Sequence, residues 1–234
     1  MSERAEQAAA SGAPVRAGPE YPREPVVLLG GGGHARVCAS IARRDGVLRL
    51  SGYADPRDRG DLDGLPWLGP DEEVRERWPE CRLLLGIGLM TDARVRWLAW
   101  RRYGGEGGRF VQLRSRRASV AREAVLGAGT VVFDLAAINA GAVLGAACIV
   151  NTGAVVEHDC RLGDNVHIAP RATLCGAAQV GDHTLIGAGA VVLPGVRVAP
   201  GSIVAAGAVL TRDAAEPGLY LGVPAALRGR GMPG

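Results

Sequence analysis

Aromatic side chains make up only 4% of this 234-residue chain, and their scarcity narrows the folds open to it. A core built almost without rings is narrow, with interior slots sized for Val, Ile, Leu and Ala. No stretch approaches the roughly 18 consecutive apolar residues that a membrane-crossing helix requires. The first 25 residues, rich in Ala, Gly, Pro and Glu, lack the apolar segment of a secretory signal and read as a disordered leader. The five cysteines, Cys38, Cys81, Cys148, Cys160 and Cys175, have no CxxC spacing and read as free thiols of a reducing cytoplasm. A net charge of +3 is mild, and the clusters Arg101-Arg102 and Arg114-Arg116-Arg117 read as solvated surface rather than a nucleic-acid footprint.

What the chain does have is a repeat. An aliphatic residue stands at every sixth position from Val120 to Leu210, filling all sixteen slots. Four places after each, through Ala208, comes a compact residue such as Ala124, Thr130, Cys148, Cys160, Val166, Ala190 or Ser202. Period six matches neither a helix nor a free strand. It matches a solenoid in which each hexad is one short strand plus a corner. Three hexads per triangular coil give five coils over residues 120–209, with residues 18 apart stacked roughly 4.8 Å from each other. No insertion breaks the register, so chemistry must sit on the outer surface of the coils.

The segment before the repeat reads as a small α/β unit over residues 26–113. Val26-Val27-Leu28-Leu29 is a buried strand, followed by Gly30-Gly31-Gly32-Gly33 and a helix from His34 to about Arg44. A second strand runs from Val47 to Tyr53 and leads to Asp55. A third covers Cys81 to Leu85 and continues to Gly86-Ile87-Gly88. A helix over Thr91–Tyr103 is expected to start on Thr91 as N-cap and to bury Val95, Leu98 and Ala99. Strand, glycine loop and helix is the arrangement that presents backbone N–H groups to a phosphate. Gly30, Gly32 and Ala35 satisfy G-x-G-x-x-A, and Asp55 ends the next strand, where a ribose or base is read. No G-K-[ST] follows, which excludes a P-loop, and without a second mononucleotide half a dehydrogenase does not fit.

Outward polar residues concentrate in one stretch of the repeat: Asn151, Glu157, His158, Asp159, Asp164, Asn165, His167 and His183. In Glu157-His158-Asp159 a carboxylate beside an imidazole can orient it and raise its basicity, as a general base requires. The column of His158 holds Ala140, Gly176 and Pro194, so the bare backbone of Gly176 should lie one coil beyond the imidazole. A different corner stacks Pro170, Ala188 and Ala206, a groove suited to a long, narrow ligand such as pantetheine. Because the two corners are separate, a site that uses both must be assembled from two chains. The three-histidine zinc site of a carbonic anhydrase-like solenoid needs other spacings than the nine and sixteen residues found here. A non-catalytic scaffold has no use for an imidazole in that column.

These residues resemble a known family. The hexads are similar to those of the left-handed β-helix acyltransferases, which are trimers using acetyl-CoA. With Gly-Gly-Gly-Gly-His-Ala ahead of them, they resemble the bacterial nucleotide-sugar acetyltransferases. That family N-acetylates UDP-4-amino-sugars and includes sialic acid O-acetyltransferase relatives. The resemblance runs from about residue 26 to 228 and rests on Asn151-Thr152, Val156-Glu157-His158-Asp159-Cys160, His167 and Gly222-Val223-Pro224-Ala225. It implies a Rossmann-like sugar-nucleotide domain (26–113), a left-handed β-helix (114–212) and a C-terminal tail (213–234). It further implies His158 as general base sharpened by Asp159, and acetyl-CoA held near His167, Gly176, Ala188 and Ala206. The nucleotide sugar would lie at Gly32, Gly33, His34, Asp55 and Gly88. A cytoplasmic homotrimer with inter-subunit sites and no metal is the expected form. The chain departs from the family at Pro56, where a second acid is usual, and at Leu89, where Asn is usual. It also departs at Arg114-Ser115-Arg116 in place of His-Pro-Ser, and at Ala226 in place of Lys. Transfer to a hydroxyl of a free sugar, sialic acid or an antibiotic intermediate is the alternative within the same chemistry.

Overall fold

Period six becomes a three-sided column. A computed structural model describes residues 25–88, 93–104, 107 and 109–229; Leu89, Thr91 and nearly all of the leader lie outside these. Two-residue strands recur every six residues from Leu113–Arg114 to Val209–Leu210. They form three parallel sheets, one per face. Ile149 pairs with Val131 on one side and with His167 on the other, eighteen residues away in each direction, as the stacking argument requires.

The aliphatic slots point inward and are buried from Val132 onward; Val120 and Leu126, on the first coil, are only half-buried. The compact slots from Ala124 to Ala208 are buried beside them. Each corner from Gly129 to Gly207 places one residue at positive φ. Where glycine is absent the residue is Leu135, Ala147, Asp159, Asn165, Arg171, Ala177 or His183. That conformation is costly for most side chains and best tolerated by Asn and Asp. The column begins one strand earlier than the aliphatic pattern indicates. Leu113–Arg114 pairs in parallel with Val131–Val132, and Arg114 occupies the slot where an aliphatic would announce the repeat. At the other end a hairpin, Leu219–Gly222 with Ala225–Gly229, closes the first face.

The N-terminal unit is a three-stranded parallel sheet, with Val26–Leu29 between Leu50–Ala54 and Arg82–Leu85. Its first helix spans Gly33–Asp45 and ends on Gly46 in the left-handed region, φ 60°. The second strand starts at Leu50 rather than Val47, because the Val47 N–H still bonds Ala42 O at the helix end. The later helix, Ala93–Arg102, buries Ala99 as expected but turns Val95 and Leu98 outward. Val95 and Leu98 are 57% and 59% exposed, whereas Arg96, Ala99, Trp100 and Tyr103 are buried. Trp100 and Tyr103 carry the larger apolar surface, and the helix turns to cover it. Trp97 stacks on Trp100 at 4.7 Å and meets His183 edge-on at 5.2 Å.

This unit docks on the first face. Leu113, Val131 and Ile149 project outward from that face yet are fully buried, in one cluster with Leu28, Cys38, Ala42 and Leu84. One edge is clipped by Arg44, which reaches both Asp134 carboxylate oxygens at 2.6 and 2.8 Å, while Asp45 accepts the Arg116 N–H at 2.8 Å. The Arg44 guanidinium beside Asp45 and the Arg116 N–H hold the Asp45 carboxyl down at about 2, below its ordinary 3.8. The Asp134 carboxyl is also lowered, chiefly by Arg44. A depressed carboxylate stabilises the fold above its unfolded pKa and loses that contribution as pH falls through the folded one. Urea unfolding should therefore weaken by about 1–2 kcal/mol between about pH 4 and 2, and Asp45→Asn should flatten that slope.

Candidate active site

The solenoid distributes neighbours in sequence around its perimeter. His158 and Asp159 sit at the corner between the second face (Val155–Val156) and the third (Arg161–Leu162). His167 opens a strand of the first face, and His183 lies at the corner between the third and first faces. The eight polar residues read as one cluster therefore separate. Asp164 and Asp182 turn back to accept the N–H groups of Ala146 and Asp164, at 2.7 and 2.8 Å. His183 pairs with Asn165 at 3.2 Å and packs on Trp97. With the histidines on three different parts of the triangle, they do not converge as zinc ligands would.

The His158 corner has the geometry of a general base. Nδ1 of the imidazole lies 2.9 Å from Asp159 Oδ2. With Nδ1–H donated to the carboxylate, Nε2 carries the lone pair. The stacking column is observed: the Ala177 N–H bonds His158 O at 2.8 Å, and the Gly195 N–H bonds Gly176 O at 2.9 Å. A methyl at Gly176 would stand 2.5 Å from His158 Nε2, so only a bare backbone fits under the ring. Both side chains are exposed in the single chain, 63% for His158 and 65% for Asp159. Glu157 turns aside and accepts an Asn139 amide hydrogen bond at 2.8 Å.

No thiol competes for the role of nucleophile. All five cysteines are free. Burial pushes Cys148 up to about 12 and Cys160 to about 11. Cys175, the residue before Gly176, is raised by burial and by Glu157, which keeps it from the thiolate a nucleophile needs.

The groove column is also in place. The Gly189 N–H bonds Pro170 O at 3.0 Å and the Gly207 N–H bonds Ala188 O at 2.8 Å, so Pro170, Ala188 and Ala206 stack, all exposed. They lie at the corner between the first and second faces, across the second face from His158.

The glycine loop divides into two pairs. Gly30 (φ 99°) and Gly31 are demanded by packing: a methyl on Gly30 would meet Gly86 at 3.2 Å, and one on Gly31 would meet Arg59 Cγ at 2.7 Å. Methyls on Gly32 and Gly33 would meet nothing within 4 Å, so these two border open space at the helix N-terminus. Asp55 is buried and engaged on both oxygens. It accepts the Gly31 N–H at 2.9 Å, the Arg57 N–H at 3.1 Å and Arg59 Nε at 2.8 Å. It thus shapes the loop and sets Arg59 across it.

His34 and His167, assigned by resemblance to different ligands, are brought together where the N-terminal unit meets the first face. A methyl on Gly88 would meet His34 Cβ at 3.2 Å, and the His34 ring lies 5.2 Å from that of Phe133. His167 is 8% exposed. Asn151 holds its ring: Asn151 Oδ1 accepts the Thr152 N–H at 2.8 Å, and Nδ2 lies 3.1 Å from His167 Nε2.

The comparisons agree with this two-part organisation. The PglD N-terminal domain family matches residues 25–101, and the bacterial transferase hexapeptide family matches residues 141–176 and 177–212. The acetyltransferase domain of PglB from Neisseria gonorrhoeae, solved in complex with acetyl coenzyme A, is 31% identical. The match covers 88% of this chain and 100% of that one, with a TM-score of 0.82. The chain belongs to the hexapeptide-repeat acetyltransferases with a PglD-type N-terminal domain. Within this family, perosamine N-acetyltransferase from Caulobacter crescentus, in complex with CoA and GDP-perosamine, is 37% identical over 90% of this chain and 99% of its own (TM-score 0.78). WeeI from Acinetobacter baumannii shares the fold at 22% identity, covering 88% and 100%, with a TM-score of 0.73. As a member of these left-handed β-helix enzymes, the protein is an acyltransferase.

The residues missed at the level of sequence are Asn151 as the group that fixes His167, and Arg59 as the partner of Asp55. Asn151 carries a legible signal, since it stands sixteen residues before His167, close to the eighteen-residue coil. Arg59 carries none, because it acts from a loop without periodicity.

Proposed function

We propose that this protein is a cytoplasmic, homotrimeric acetyl-CoA-dependent N-acetyltransferase acting on the amino group of a nucleotide-linked amino sugar. The observation that carries the reading is the His158 imidazole, anchored at Nδ1 by Asp159 and held with Nε2 over Gly176. It gains support from kinship with an enzyme crystallised with CoA and GDP-perosamine. Among the described residues no helix is long and apolar enough to cross a membrane.

In the proposed reaction the acceptor amine attacks the thioester carbonyl, and His158 Nε2 takes the proton as the C–N bond forms. The oxyanion is met by the Gly176 N–H. Collapse breaks the C–S bond, and the coenzyme A thiolate leaves with the proton from His158. The raised thiol pKa values favour this direct transfer over an acyl-cysteine. Residues 26–113 hold the sugar nucleotide at Gly32, Gly33, His34 and Gly88, with Asp55 acting through Gly31 and Arg59. Residues 114–212 hold acetyl-CoA along Ala188 and Ala206 and near His167.

Trimerisation is supported by what the three faces present. The first face is covered by the N-terminal unit. The third shows Arg161, Gln179 and Arg197 outward. The second shows Ala137, Val155, Thr173, Val191 and Val209, half-exposed and uncharged. Its two edges are the His158 corner and the Ala188 corner.

The test is coenzyme A release from acetyl-CoA with a panel of UDP-, GDP-, TDP- and CMP-sugars, with and without amino groups. Release only with an amino-sugar nucleotide is expected; equal rates with hydroxyl-only sugars would overturn N-transfer. Asp55→Ala should raise the acceptor KM about tenfold and leave the acetyl-CoA KM within about twofold. An equal rise in both counts against the assignment.

A further inference from the structure

The helix Ala93–Arg102 carries a charge into the interior. Arg96 is enclosed by protein with no exposure to solvent, the largest side chain so buried among the described residues. Its partners are carbonyls. Nε donates to Ala147 O at 3.0 Å, Nη1 donates to Leu85 O at 3.1 Å and to Ile87 O, and Nη2 is 3.5 Å from Gly129 O. Among the described residues no carboxylate pairs with it, and desolvation lowers its pKa to about 10. A buried, unpaired charge is costly, and an apolar side chain of similar volume would serve packing better. Its value lies in what it joins.

Two of its acceptors belong to each half of the protein. Leu85 and Ile87 flank Gly86, whose backbone abuts Gly30, and they precede Gly88, which abuts His34. Gly129 and Ala147 are corner residues of successive coils between the third and first faces. One planar guanidinium therefore spans the floor of the glycine-loop crevice and the solenoid, at the edge opposite the Arg44–Asp134 clip.

We propose that Arg96 is a positioning residue that registers the acceptor-binding crevice on the acyl-transfer column and presents His34 to the bound nucleotide sugar. This rests on the reading that the glycine-loop unit holds that substrate. Two further observations point the same way. His34 Nε2 is buried with no hydrogen-bond partner among the described residues. Burial first, then Arg96, then His167, pushes the His34 imidazole well below its ordinary pKa. The Phe133 ring packs against it, 5.2 Å between ring centroids. His34 thus meets its ligand as a neutral hydrogen-bonding group, held so by burial first and by the cation behind it second.

The chain has four histidines, so nuclear magnetic resonance of ring-labelled full-length protein, assigned by single substitutions, reads each one directly. The His34 signal should titrate below the ordinary histidine range in the wild type and in Arg96→Lys, and should move to higher pH in Arg96→Met, where burial alone still lowers it. Identical behaviour of the two variants overturns the role of the charge. If Arg96→Met does not fold, calorimetry on Arg96→Lys decides. A lysine cannot reach all four carbonyls, so GDP-perosamine should bind about tenfold more weakly while acetyl-CoA stays within about twofold. Equal loss of both, or loss of neither, overturns the proposal. A wild type that ignores GDP-perosamine while His34 behaves as described counts against the nucleotide reading alone.

Discussion

His158→Ala should lower turnover at least about a hundredfold, the loss expected when a general base is removed. The fall belongs in kcat, with both KM values nearly unchanged, because proton transfer is an interaction of the transition state. The measurement is thiol release from acetyl-CoA under saturating acceptor; near-wild-type turnover would remove His158 from the mechanism. Two companions separate base from bystander. Asp159→Asn keeps a hydrogen-bonding group beside Nδ1 but not the charge, and should cost about tenfold. Gly176→Ala puts a methyl 2.5 Å from Nε2 and must displace the ring, so it should approach the alanine variant of His158 without touching it chemically. The site is exposed in one chain, so a unit packed over it would strengthen the His158–Asp159 pair by excluding water.

The repeat was legible because a solenoid obeys one rule per hexad. Aliphatic and compact slots alternate along the interior, and residues eighteen apart stack, so both the His158–Gly176 column and the Ala188–Ala206 column could be read from spacing. The same rule hid other things. A run such as Val156–His183 looks contiguous, yet it passes around the triangle and delivers its polar residues to different corners. The strand at Leu113–Arg114 escaped notice because arginine fills its aliphatic slot. In the N-terminal unit, periodicity put Val95 and Leu98 inward, whereas the bulk of Trp100 and Tyr103 decided the orientation. The docking of the two units was illegible for a simple reason. Leu113, Val131 and Ile149 occupy slots that are outward in the repeat, and nothing in a period of six tells an outward residue facing solvent from one facing a second domain. The meeting of His34 and His167 follows from that docking and not from either segment alone.

Mixing two inactive variants should restore activity, and this result bears most directly on how the site is built. His158 lies at one edge of the second face and the Ala188 column at the other, so one chain cannot close a narrow site with both. If three chains pack second face to second face, the His158 corner of each meets the Ala188 corner of the next. Ala188→Trp fills the groove while leaving His158 intact; Ala188 is exposed, so the ring need not disturb the core. His158→Ala does the reverse. Each alone should be nearly inactive. Co-expressed at equal levels, they should recover about a quarter of wild-type activity, since each mixed cyclic trimer holds one site built from two unaltered corners. A site within one chain would gain nothing from mixing. The apolar face supplies an independent control. Val191→Arg places a charge in the middle of the second face and should yield smaller, inactive species by light scattering, whereas Gln179→Glu on the third face should leave assembly and rate unchanged. A monomeric wild type with full activity, unaffected by Val191→Arg, would exclude the shared site altogether.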